Sequence, residues 1–225
     1  GTTAFDYSGC NNYGIYSNAP ETNILPIVPG NSMATKITDE IYLNYQIQND
    51  YAGKQRTDHF GTKYSSSSNF TLEAWFYPSI TSSASVPILA DATNNIGLFY
   101  EKGNITFKLD SQELSYTLID IGQVVHVVAI YTNTAAYLYI NGSIASSLPL
   151  SDFAFTNEEC NLKTGPAPAN NYFLVNSLAT YKYPLSSNKI LAHYNEAKGL
   201  LPIQIVFPDN GEIFSIYDLS LIHIS

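Results

Sequence analysis

The residues able to do acid or base chemistry are few and scattered. Nineteen Asp and Glu and four His occur in 225 residues. Glu73 stands alone on the run Phe70–Pro78, and Glu158 and Glu159 are adjacent, hence on opposite faces of any strand. Glu101 and Asp110 fall near hairpin ends. Paired carboxylates for general acid and base work would therefore have to be assembled from distant loops. His126 lies in the apolar run Val124–Tyr131, where a hydrogen-bonded structural histidine is the expected role rather than a base. His193 falls in a helical pattern, where packing is the plain reading, and His59 beside Asp58 reads as a solvated turn. Ser is abundant, yet no Gly-x-Ser-x-Gly elbow is present. Two Cys and four His give zinc no framework. On this reading the chain is not an enzyme.

Aromatic residues offer a different chemistry, since exposed rings stack on sugars or pack against a partner. The chain has 18 Tyr, 11 Phe and one Trp. Trp75 and Tyr77 share the outer face of their strand, and Tyr137 and Tyr139 share one face of theirs. Tyr100 joins them if its strand belongs to the same sheet. The expectation is an aromatic platform made of Trp75, Tyr77, Tyr100, Tyr137 and Tyr139. The competing expectation is that loops or a neighbouring sheet cover these rings.

Composition excludes several partners. Only 10 Lys and Arg stand against 19 Asp and Glu, giving a net charge of −9. Phosphate binding rests on clustered basic residues, so nucleic acid is not an expected partner. The same shortage argues against an anionic membrane surface, and no apolar run reaches the eighteen or so residues of a spanning helix. With 45% hydrophobic residues the chain can form a packed core. A chain of this length buries roughly 70–75% of its unfolded surface.

Alternation with a period of two dominates and sets the elements that must position these residues. In Phe70–Tyr77 one face carries Phe70, Leu72, Ala74 and Phe76, the other Thr71, Glu73, Trp75 and Tyr77. Residues 95–101 and 104–110 form a hairpin about Lys102-Gly103-Asn104. Val124–Tyr131 is apolar on both faces, as a covered central strand requires, and pairs with Ala136–Ile140. Asn141-Gly142 is the strongest hairpin turn and leads into Ser143–Ser147. Residues 11–35 read as irregular, Thr35–Tyr45 as one strand and Val175–Tyr181 as a late strand. A helix is expected over Ser187–Ala197, capped by Ser186 or Ser187, with Ile190, Leu191, Tyr194 and Ala197 as its apolar stripe. Lys198-Gly199 stops it. Many short strands with one small helix give an all-β, antiparallel two-sheet sandwich.

Residues 1–200 are expected to form this domain. Residues 201–218, with strands at Gln204–Phe207 and Glu212–Tyr217 about Pro208-Asp209-Asn210-Gly211, read as the start of a truncated β domain. Residues 219–225, Leu-Ser-Leu-Ile-His-Ile-Ser including His223, resemble the translation of a transposase adapter used in sequencing libraries. The chain begins at Gly1 with neither an initiator Met nor a visible signal peptide, and reads as a piece of something longer.

Several segments together resemble the laminin-G-like branch of the concanavalin A-like jelly rolls. Asp6-Tyr7-Ser8-Gly9-Cys10-Asn11-Asn12-Tyr13-Gly14 is similar to that branch's opening turn. Phe70–Pro78 looks like its most recognisable strand. Val124–Tyr131 with Tyr137-Leu138-Tyr139-Ile140-Asn141-Gly142 resembles its central hairpin. Val175–Tyr181, Pro184-Leu185-Ser186, Ile190 and His193-Tyr194 resemble its closing strand and helix. Departures occur at Cys10, Val124-Val125, Phe173 and Asn176, where other residue types are usual. Leu25–Gly30, continuing through Ala34–Thr38, resembles versions of the domain in tail proteins of bacterial viruses.

The resemblance implies a jelly roll with one short C-terminal helix. It implies a non-catalytic binding or adhesion module of a virion tail or cell-surface protein, at the virion surface or outside the cell. Its partners would be a host or cell-surface glycan or protein and neighbouring domains of the same chain. A purely structural, decorating module is the alternative, and an accessory or degenerate glycoside hydrolase domain comes third. The related hydrolases carry Glu-x-Asp-x-x-Glu on one strand, a spacing absent here. Such domains often hold one Ca²⁺ at the rim, and calcium takes several oxygen ligands. By place in the order Asp91 is the candidate ligand, with Asp6, Asp39 and Asp152 also at strand ends. No other cofactor is implied. Cys10 and Cys160 either bridge first and late strands or pack as free thiols.

Overall fold

The computed structural model describes residues 69–78, 85–91, 95–118, 122–151, 162–165 and 172–199, together with short strand segments elsewhere. The strands in chain order are β1 (Thr3–Ala4), β2 (Gly14–Tyr16), β3 (Glu21–Ile24), β4 (Ala34–Ile37), β5 (Ile41–Leu43), β6 (Phe70–Pro78), β7 (Val86–Asp91), β8 (Ile96–Glu101) and β9 (Asn104–Leu109). They continue as β10 (Gln112–Thr117), β11 (Val125–Tyr131), β12 (Ala135–Ile140), β13 (Ser143–Pro149), β14 (Lys163–Thr164) and β15 (Phe173–Tyr181). Helix α1 (Ser187–Ala197) follows, then β16 (Ile205–Val206) and β17 (Ile213–Phe214).

Two antiparallel sheets form the sandwich. One runs β1-β2-β5-β14-β7-β8-β9-β10, the other β13-β12-β11-β6-β15-β4-β3. The expected all-β jelly roll with one short helix is the observed fold.

The period-two pattern places the core. Phe70, Leu72, Ala74 and Phe76 of β6 face inward with Val125, Val127, Ala129 and Tyr131 of β11. Opposite them lie Ile96, Leu98 and Tyr100 of β8 and Ile105, Phe107 and Leu109 of β9. Phe70 stacks on Tyr131 at 5.2 Å and meets Phe107 edge-on at 6.3 Å. Tight turns set the hairpin registers. Lys102-Gly103 and Asn141-Gly142 each put two successive residues at positive φ, the geometry that matches strand twist.

Sequence and structure part company at several places. The run Thr35–Tyr45 is not one strand: β4 and β5 belong to different sheets. The residues 11–35, expected to be irregular, contain β2 and β3. Two further strands, β7 and β10, carry no clean alternation. All six residues of β7 are buried, while β10 is a mostly exposed edge. At Gly97 the β7–β8 pair is so close that a Cβ would lie 2.5 Å from the Leu89 carbonyl oxygen. Here φ is +124°, so glycine is required. The register shift at Pro87–Leu89 lies beside it. Strands expected over 204–207 and 212–217 are represented by the β16–β17 hairpin, a separate two-stranded sheet. Residues 219–225 lie outside the described residues.

Helix α1 spans the expected range. The Ser186 Oγ accepts from the Lys189 backbone N–H at 3.3 Å, an N-cap bond. Gly199 follows the Lys198 C-cap at positive φ. The expected stripe is narrower than read: Ile190 is buried, whereas Leu191 is exposed.

Candidate functional site

Helix α1 accompanies a polar cluster on the outer face of the β13–β3 sheet. Glu73 sits mid-strand on β6, on the face opposite the sandwich core. The register Glu73↔Val128 and Trp75↔His126 brings His126 of β11 onto the same face. On the other side, Thr71↔Tyr181 brings Tyr181 of β15 alongside. His193 is supplied by α1.

The Glu73 carboxylate gathers all three partners. His126 Nε2 donates to Oε1 at 2.7 Å, and the Tyr181 hydroxyl donates to Oε2 at 2.8 Å. His193 Nδ1 donates to both oxygens, at 3.0 and 3.2 Å. Burial by itself would push the Glu73 carboxyl up. The hydrogen bond and positive potential of His126, the Tyr181 hydroxyl and the charge of His193 outweigh it and hold the group below the ordinary carboxylate range. Burial, and the negative charge of Glu73 accepting its proton, push the Tyr181 phenol well above its usual value. His126 is also locked by its surroundings. Its ring stacks on Trp75 at 4.5 Å, and Trp75 stacks in turn on Tyr194 of α1 at 5.9 Å. The Asn141 side chain accepts the His126 backbone N–H at 3.0 Å.

A carboxylate between two imidazoles is an acid–base kit, but here its carboxylate and one imidazole are buried, while the His193 side chain is 23% exposed. The Glu73 side chain is 8% exposed and that of His126 0%. An apolar crevice lies elsewhere, lined by Phe76, Val86, Ile88, Tyr100 and Phe173, with no ionisable carboxylate or imidazole on its wall. The cluster therefore acts as a tie. One acceptor group ties α1 to the paired strands β6, β11 and β15, and the helix also packs on the small apolar set of Val128, Ile130, Leu185 and its own Ile190.

Of the expected aromatic platform, the structure brings Trp75, Tyr77, Tyr137 and Tyr139 onto one sheet and places Tyr100 on the other. Tyr100 is a core residue, 2% exposed, because the β8 alternation turns it inward against Phe76. Trp75 is 5% exposed, covered by its stacking partners. These two rings offer no face to a ligand. Tyr77 is half-buried, as are Tyr137 and Tyr139, which pack against the apolar set beneath α1. Asp91 ends β7, is 1% exposed and is engaged within the protein. Among the described residues no three His, Cys, Asp or Glu side chains form a group that could hold a metal ion. Cys10, Cys160, Asp6, Asp39, Asp152, His59, His223, Glu158 and Glu159 lie outside the described residues.

What the sequence did not reveal is that Glu73, His126, His193 and Tyr181 belong together. The signals were a carboxylate, a tyrosine and a histidine on outward positions of their strands, and a histidine on the helix that must cover them. The register that joins them is not local.

A two-layer antiparallel sandwich with a largely buried polar cluster under a helix is a scaffold of the lectin-like kind. The chain belongs to the concanavalin A-like lectin/glucanases superfamily, whose laminin-G family model matches residues 51–191. No curated protein matches the sequence. Among solved structures, the botulinum neurotoxin serotype D binding domain superposes with a TM-score of 0.66 at 16% identity, covering 85% of this chain and 48% of that one. The serotype D ligand binding domain in complex with N-acetylneuraminic acid gives 0.66 at 17% identity, covering 85% and 48%. The binding domain of botulinum neurotoxin DC in complex with rat synaptotagmin II covers 89% of this chain and 50% of that one at 15% identity. The chain thus spans about half the length of these domains, and at such identity the likeness is one of fold.

Proposed function

We propose that the chain is a non-catalytic recognition module of a larger virion-tail or cell-surface protein, binding glycan or protein outside the cell. The observation that carries this reading is the burial of Glu73 and His126. The carboxylate–imidazole group that could have done chemistry is committed to holding α1. What remains for function is the surface. The structural neighbours support the reading, since they are binding domains, one solved with N-acetylneuraminic acid and one with rat synaptotagmin II. The superfamily also includes glucanases by its description, and a hydrolytic member would need carboxylates open to a cleft.

The test is binding of the labelled chain to a glycan array and to intact cells, each with and without chelator. Saturable binding to either supports the module. Absence of binding to both overturns it in favour of a structural, decorating role. Loss of binding on chelation would assign calcium a part, with ligands drawn from beyond the described residues.

A further inference from the structure

The turn between β12 and β13 carries the strand ladder one step past the strand. Beyond the last β11–β12 pair, Val127↔Ile140, the Asn141 backbone N–H donates to the His126 carbonyl at 2.8 Å. The Asn141 side-chain Oδ1 accepts the His126 backbone N–H at 3.0 Å. A side-chain carbonyl thus stands where a ladder would use a main-chain one, because the chain is already turning away. Asn141 and Gly142 both hold positive φ, +51° and +79°.

The same dipeptide can react with itself. After an Asn, a Gly leaves the next backbone nitrogen unhindered, and that nitrogen can attack the side-chain carbonyl carbon when the two are brought together. The Gly142 nitrogen bonds to Asn141 Cγ and the Cγ–Nδ2 bond breaks. Nδ2 leaves as ammonia, taking the proton of the Gly142 N–H. Water then opens the cyclic imide, at Cγ to give aspartate or at the Asn141 main-chain carbonyl to give isoaspartate. No oxidant or reductant enters this balance. Among the described residues Asn141 is the only Asn followed by Gly.

The folded arrangement opposes each part of the ring closure. The reaction rotates the Asn141 side chain and makes Cγ tetrahedral, which its bond to the His126 N–H resists. Asn141 is exposed, but Gly142 is buried. Helix α1 lies on it: a Cβ at Gly142 would stand 3.1 Å from Leu191 Cδ1 and 3.2 Å from Tyr194 Cβ and Cδ1. Tyr194 is held in turn by its stack on Trp75, and α1 by the His193 bond to Glu73. The helix that shields the Glu73 cluster therefore also covers the reactive pair. A segment docked in this way opens at a lower free energy than the whole fold.

We propose that Asn141 is a site of spontaneous deamidation that docked α1 holds off, so that conversion takes place in molecules whose helix has opened. The change is irreversible and accumulates with the time a molecule has spent open.

The test incubates the full chain, E73A and L191A in mildly alkaline buffer, beside the full chain unfolded in urea. Peptide mapping by mass spectrometry follows amide-to-acid conversion at residue 141 and separates it from Asn210-Gly211, the other Asn-Gly in the sequence. The expected result is conversion about tenfold or more slower in the folded chain than in urea, with E73A recovering most of that difference. L191A should give a smaller rise. Leu191 is 44% exposed, so its removal uncovers Gly142 with little loss of core and serves if E73A does not fold. Circular dichroism confirms which variants are folded. Conversion in the native chain at the urea rate overturns the protection. Slow conversion left unchanged in the folded variants overturns the part given to α1.

Discussion

The two buried layers of this molecule are built on opposite principles. Between the sheets the contacts are apolar: Phe70, Phe107, Leu72, Leu98 and their neighbours are held by area and shape. Beneath α1 the apolar set is small, Val128, Ile130, Leu185 and Ile190, and a carboxylate with three donors sits beside it. The first layer is non-directional and tolerates exchange of one hydrophobe for another of similar volume. The second is directional, and each missing donor or acceptor leaves a buried group unpaired. One layer thus supplies bulk stability, and the other fixes where a particular helix lies.

The largest effect should come from the first layer. Phe107→Ala removes a fully buried ring that meets Phe70 edge-on, and should cost about 3–5 kcal/mol by denaturant unfolding. The loss should be independent of pH. A strong pH dependence would break the contrast between the layers.

Glu73→Ala comes next, at about 3 kcal/mol, because it strands the buried His126 donor and frees α1 from its tie. Its signature is in the acid limb. The folded carboxyl is held below its unfolded value, about 4.3. The stabilisation is therefore complete above that pH and is lost as pH falls toward the folded value. The variant should lack this part of the acid limb in a pH series of unfolding midpoints. An unchanged acid limb would show that the tie is inert.

The smallest effect is Tyr181→Phe, about 1 kcal/mol for one hydrogen bond on a half-buried ring. The folded phenol lies above its unfolded value of about 10, so its contribution holds below pH 10 and fades as pH rises beyond it. The variant should flatten the alkaline limb while leaving the acid limb in place, and so separates the two ends of the cluster.

The same contrast explains what could be read in advance. The inter-sheet core was legible, because alternation is local: Phe70, Leu72, Ala74 and Phe76 declare one face within seven residues. The hairpin turns at Lys102-Gly103 and Asn141-Gly142 were legible for the same reason, as was α1 with its Ser186 cap. β7 and β10 were missed because one is buried along its whole length and the other lies exposed at an edge. The Glu73 cluster was invisible because its partners lie 53 to 120 residues away in sequence. The burial of Trp75 followed from the same blindness. Its strand face was read correctly, but the rings of His126 and Tyr194 that stack over it could not be placed.

The order of the elements along the chain has one more consequence. Trp75, His126, Val128 and Ile130 are synthesised long before His193 and Ile190, which cover them. During translation the sandwich can close while its outer flank is still wet, and the emergence of α1 from the ribosome shields that flank. A nascent chain stalled shortly before Ser187 would display a patch of aromatic and branched side chains, a prime target for chaperones or for self-association.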